Sequence, residues 1–121
     1  MAIMVSVDKI EKAKAPVLQK DGQTLICYAH GDKGYALNPG DTAQIPLGFS
    51  MDYMNGRPFF FAHPAITEQG LIVLAGPTML GKNTPLTVTV FAMKAVDIKP
   101  GDPVALLMLL DPAMMFVKQP K

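Results

Sequence analysis

Cysteine occurs once in the 121 residues, at Cys27, so no disulfide can form within the chain and no cysteine-based metal site can be assembled in it. Buried filler is its expected role. Arginine is as scarce, a single Arg57 against ten lysines. Tight recognition of phosphate or carboxylate favours the bidentate guanidinium fork, which puts phosphate chemistry at a disadvantage. Charged residues make up only 17% and the formal net charge is +1. That balance supplies no electrostatic reason for nucleic acid or an anionic membrane as partner. No uncharged apolar run approaches the ~20 residues of a membrane-spanning helix. The start, Met1 to Asp8 followed by Lys9, Ile10, Glu11 and Lys12, lacks the apolar core and small-residue cleavage site of a signal peptide. The expected location is the cytoplasm, a host's cytoplasm or a virion for a viral source. Ser6 and Ser50 are the only serines and neither sits in a nucleophile-elbow pattern. His30 and His63 stand apart in turn-rich sequence, with no second histidine at ligand spacing, and are expected to be surface or structural residues. Neither metal nor cofactor is expected.

Turns and short apolar runs are what the chain has in quantity. Eleven prolines and ten glycines punctuate a sequence that is 50% hydrophobic, enough for one core and one domain over residues 1–121. Ile3, Val5 and Val7 alternate with Met4 and Ser6 as an opening strand, with a polar link completing residues 1–14. Asp21-Gly22 is a hairpin signal before a strand at Thr24–Ala29, and Asn55-Gly56 is another, expected to pair Phe49–Met51 with Arg57–Ala62. Asn38-Pro39-Gly40-Asp41 and Lys99-Pro100-Gly101-Asp102 repeat one device. In each, proline presets φ and glycine supplies the positive φ of a type II turn. Pro46 places the segment after Thr42 at a sheet edge or a bulge. A helical turn is possible after His63, Leu71–Ala75 is apolar, and Leu86–Met93 alternates threonine with valine. The most apolar stretch, Val104 to Leu110, contains no polar residue and reads as a strand buried on both faces. The pattern predicts an all-β sandwich or barrel with almost no helix.

Five motifs in order carry a family likeness: Leu37-Asn-Pro-Gly40, Ile45-Pro-Leu-Gly48, Gly70-Leu-Ile-Val73 with Gly76, Leu86-Thr-Val-Thr-Val90, and Ile98-Lys-Pro-Gly-Asp-Pro-Val-Ala-Leu106. Together they span about Ala15 to Leu110, and the chain resembles the trimeric dUTPase and dCTP deaminase superfamily. The resemblance implies a distorted jelly-roll, a barrel-like sandwich of the dUTPase type, assembled as a homotrimer with active sites shared between subunits. The chemistry departs from the family pattern. Where the family has an Asp before a Leu-x-Ala, this chain has Ile26-Cys27-Tyr28-Ala29. Where an Arg-Ser-Ser segment binds phosphate, it has Ala62-His63-Pro64-Ala65, and where the water-activating Asp lies it reads Gly76-Pro77-Thr78-Met79-Leu80. The Gly-Asp-Arg segment survives as Gly101-Asp102-Pro103, and no Gly- and Arg-rich tail follows. A water-activating carboxylate and phosphate-binding cations are the minimum for that hydrolysis, so no catalytic residues are assigned.

Gly76 to Asn83 nearly matches a phosphate-cradling P-loop, but Asn83 replaces the magnesium-binding hydroxyl and Pro85 blocks the following helix; a hairpin-type loop is the expectation. Glu68 and Asp52 have no spacing that requires them to meet. Nine methionines can fill cores or adaptable surfaces. An apolar tail beyond Asp111-Pro112 must fold back, dock on a neighbour or stay exposed. Residues 112–121 are expected to form an arm that carries Met114, Met115 and Phe116 to a neighbour. The oligomer interface is assigned to these three with Leu106, Leu107, Met108, Leu109 and Leu110.

Two functional classes follow. One is a non-enzymatic structural protein on a dUTPase-like trimer, a virion decoration or cement protein whose partner is a capsid. The other is a divergent nucleotide binder or nucleotidohydrolase of the same superfamily. An unrelated β-sandwich interaction module is a third reading.

Overall fold

A computed structural model describes residues 3–56, 59–65, 69–74, 78–79, 85–109 and 113–118. Its strands are β1 (Ile3–Lys9), β2 (Val17–Leu18), β3 (Thr24–Tyr28), β4 (Tyr35–Leu37), β5 (Thr42–Pro46), β6 (Phe49–Met54), β7 (Phe59–Pro64), β8 (Leu71–Val73), β9 (Thr78–Met79), β10 (Thr87–Ala92), β11 (Val96–Ile98), β12 (Pro103–Leu109) and β13 (Ala113–Lys118). The all-β expectation holds. The strands form open sheets rather than a closed barrel, in the orders β13-β1-β6, β5-β10-β8, β11-β4 and β2-β3-β12-β7-β9.

The turn chemistry does what its residues dictate. At both Pro-Gly turns the aspartate N–H donates to the carbonyl three residues back, Asp41 to Asn38 and Asp102 to Lys99, each at 3.0 Å. Each aspartate carboxylate then accepts from the first residue's N–H at 2.8 Å, closing the turn twice. Gly40 and Gly101 stand at φ +91° and +89°, and a Cβ added at either would meet nothing within 4 Å. Replacing either with alanine therefore incurs only the backbone cost, about 1 kcal/mol, and a chemical denaturation curve for each variant checks it. Unchanged stability in both would show that these turns do not need glycine. The Asp21-Gly22 hairpin joins β2 to β3. The Asp21 carboxylate accepts from the Gln23 and Thr24 N–H groups and from the Thr24 hydroxyl, at 2.7 to 2.9 Å. Those bonds, led by the one from Gln23, hold its pKa below the usual carboxylate range.

Asn55-Gly56 corrects the sequence reading. Both residues have positive φ, 68° and 131°, as a hairpin turn would require. Yet β6 pairs with β1, while β7 lies between β12 and β9 in another sheet. β7 has a strand on each side while β6 keeps an unpaired edge among the described strands, so the turn carries the chain from one sheet to the next. Pro46 ends β5 at an edge of its sheet, where a missing N–H is harmless. The possible helical turn after His63 falls largely on residues 66–68, outside the described residues.

One continuous core lies between the sheets. Val5, Val7, Leu25, Ile45, Phe49, Met51, Phe60, Val90 and Val104 are all fully enclosed, and Cys27 lies among them. Burial pushes the Cys27 thiol well above its ordinary range, which leaves it an inert apolar filler. Part of the expected arm is a strand. Ala113–Lys118 forms a parallel pair with β1 of the same chain, from Ile3 opposite Ala113 to Asp8 opposite Lys118. The backbone of Met114 to Phe116 thus pairs with β1, at the edge of the sheet β13-β1-β6.

Candidate assembly interface and basic cleft

The five-stranded sheet decides what Val104 to Leu110 can do. In an antiparallel ladder directly opposed residues share a face, and successive residues alternate faces. Leu25, Leu107 and Ala62 form one row across β3, β12 and β7, and Phe60 and Leu109 form another; all five are buried in the core. Val17, Ile26, Leu106 and His63 form a row on the opposite face, and Thr24, Met108 and Phe61 the next. Among the described residues that face is only partly covered, with Thr24 buried and its apolar neighbours less so. Met108 is 38% exposed and Val17 45%, with Ile26, Leu106 and Phe61 half-buried.

The sequence reading of a strand buried on both faces is therefore correct for one face only within the chain. Leu107 and Leu109, at 3% exposure, belong to the core and cannot reach a partner without unfolding. Leu106 and Met108 are the two assigned interface residues that the fold presents outward. Leu110 lies outside the described residues, and Met114, Met115 and Phe116 are described only as strand residues opposite Met4, Val5 and Ser6 of β1. Ile26, Phe61 and Val17 share the outer face and escaped the sequence reading, since each sits in a run that is apolar on both sides. The Phe61 and His63 rings lie 5.7 Å apart along one edge of this patch. A shallow groove of about 590 Å³ is lined by Gln19, Lys20, Asp21, Thr24, Ile26, Ala65 and Leu106.

A second concavity, about 230 Å³, lies beyond the end of β3 among Lys12, Lys14, Ala29, His30, Gly31, Asp32, Pro100 and Gly101. The Lys14 ammonium stands 4.0 Å from the centre of the Tyr28 ring, a cation–π contact. Among the described residues no group of three or more histidine, cysteine or acidic side chains could hold a metal ion. Glu68 and most of Gly76 to Asn83 fall outside the described residues. Of that loop, Thr78 and Met79 form the edge strand β9 against β7.

By sequence the chain matches no protein-family model and no curated protein. By structure it matches solved dUTPases. EIAV dUTPase superposes with a TM-score of 0.69 over 98% of this chain and 96% of its own, at 16% identity. A mutant dUTPase from phage phi11 of S. aureus gives 0.72 over 97% and 96%, at 13% identity. The dUTPase of Staphylococcus bacteriophage 80alpha gives 0.70 over 97% and 96%, at 12% identity. The fold is of the dUTPase type, along nearly the whole length of both chains.

Proposed function

We propose that this chain is a non-enzymatic assembly protein, a homotrimer on a dUTPase-type fold that serves as a structural component of a virion, docked on a capsid. The observation that carries this reading is the outer face of the five-stranded sheet. Ile26, Leu106, Met108 and Phe61 make an apolar surface that the described chain leaves partly open, and contiguous exposed apolar patches mark interaction sites. Fully burying such side chains contributes ~1.5–3 kcal/mol each, from which the cost of association must be subtracted. The resemblance to the trimeric superfamily specifies three copies. Viral and phage proteins among the structural neighbours support a virion as the setting. Non-enzymatic use of the fold is supported by the replacements noted above: alanines and His63-Pro64 stand where the family has its Arg-Ser-Ser segment, and Gly76-Pro77-Thr78-Met79-Leu80 where it has its water-activating Asp.

The competing reading, a divergent nucleotide binder, is favoured by one observation: the similar phage 80alpha dUTPase has been solved with dUpNHpp. Two measurements on the purified chain separate them. Sedimentation is expected to give a trimer at micromolar concentration, and incubation with dUTP or dCTP and magnesium is expected to give no turnover above the uncatalysed rate. A monomer with a native spectrum would remove the assembly reading. Turnover abolished by substitution of one carboxylate, or saturable binding of dUpNHpp, would establish the nucleotide reading instead.

A further inference from the structure

We propose that the basic cleft beyond β3 binds a small oxyanion, the phosphate or carboxylate group of a ligand or partner. Its walls come from three separate segments, and backbone hydrogen bonds fasten them together. Ile10 N–H donates to Gly48 O at 2.8 Å and His30 N–H to Pro46 O at 2.9 Å, so the link after β1 and the loop after β3 are both pinned to the β5–β6 turn. Ala29 N–H donates to Asp102 O and Gly101 N–H to Ala29 O, both at 2.8 Å, which pins the third wall. The cleft is thus preformed, as a binding site needs to be.

Its chemistry is one-sided. Lys12, Lys14 and His30 bring three nitrogen-bearing side chains to the walls, against one carboxylate, that of Asp32. The rest of the lining is Ala29, Gly31, Pro100 and Gly101, small residues that let a ligand approach the backbone closely. Lys14 is held in place over the Tyr28 ring. Lys12 sits at φ +68°, in the left-handed region where glycine is unstrained and a lysine is not. A turn built for stability alone would place glycine there, whereas the lysine adds an ammonium to the cleft. Lysine serves oxyanion sites as a point charge where arginine would serve as a fork. At about 230 Å³ the cleft is smaller than the ~300–1,000 Å³ of sites for drug-sized molecules, so it suits one anionic group rather than a whole nucleotide.

The test is a titration of the ¹⁵N-labelled full chain at low ionic strength with inorganic phosphate, with acetate in a parallel series and sodium chloride at matched ionic strength as reference. Saturable shifts are expected at the Gly31, Asp32 and Gly101 amides with at least one of the two anions, and the tighter one assigns the group recognised. Lys12→Gly is expected to weaken that binding about fivefold, the loss of one partly solvated charge-assisted contact, while raising the thermal midpoint. Lys20→Ala, outside the cleft, is expected to leave binding unchanged. Shifts that merely follow ionic strength, or a Lys12→Gly protein with unchanged affinity, would overturn the site.

Discussion

Replacing Leu107 with aspartate is expected to leave no folded protein, whereas the same change one residue earlier, at Leu106, is expected to leave a folded monomer. Leu107 is 3% exposed, in a strand with β3 on one side and β7 on the other, and its side chain faces the core. An unpaired carboxylate there must be buried charged, at a cost of several kcal/mol, or buried neutral and without partners. Total stability is only ~5–15 kcal/mol, so the loss of packing and the burial of the acid together consume most of it. Leu106 points to the outer face, where an aspartate in the free chain can reach water. In a threefold assembly on that face, three carboxylates would be brought together in an apolar contact, so association fails while the fold survives. Circular dichroism and sedimentation on both variants read the two outcomes. A Leu106→Asp protein that remains trimeric would remove this face as the interface. A folded Leu107→Asp protein would show that the two faces of β12 are assigned the wrong way round.

Gly48→Ala is expected to be far more damaging than the same change in the open turns at Gly40 and Gly101. Gly48 is at φ +77°, and a Cβ there would lie 2.6 Å from the Ala13 Cβ and 3.0 Å from the Cβ and Cγ of His30. The backbone strain costs about 1 kcal/mol and forced overpacking ~1–3 kcal/mol more, so a total loss of roughly 2–4 kcal/mol is expected by chemical denaturation. Gly40→Ala provides the control, since it has the same sign of φ and open space around it. The clash also pushes apart the link after β1 and the loop after β3, which form two walls of the basic cleft. If Gly48→Ala were no more costly than Gly40→Ala, the close packing of Ala13 and His30 over the β5–β6 turn would be refuted.

The all-β class, the two Pro-Gly-Asp turns and the β2–β3 hairpin were legible in the chain because each depends on local chemistry: fixed proline φ, glycine at positive φ, and an aspartate that bonds back to nearby N–H groups. Alternation in Thr87 to Val90 likewise placed Val88 and Val90 inward, as the burial of β10 shows. The order of five motifs carried the likeness to the dUTPase fold, which structural superposition shows at 12–16% identity. Partner choice between strands was not legible. Asn55-Gly56 has hairpin chemistry, but which strand pairs with which depends on strands distant in sequence, and β6 pairs with β1 while β7 lies between β12 and β9. The pairing of residues 113–118 with β1 is as distant in sequence. Within Val104 to Leu110 every side chain is apolar, so no period could separate the inward Leu107 and Leu109 from the outward Leu106 and Met108; ladder register alone decided it. The basic cleft was equally invisible, since Lys12, His30 and Pro100 are distant in sequence. Backbone hydrogen bonds between three loops are what bring them together.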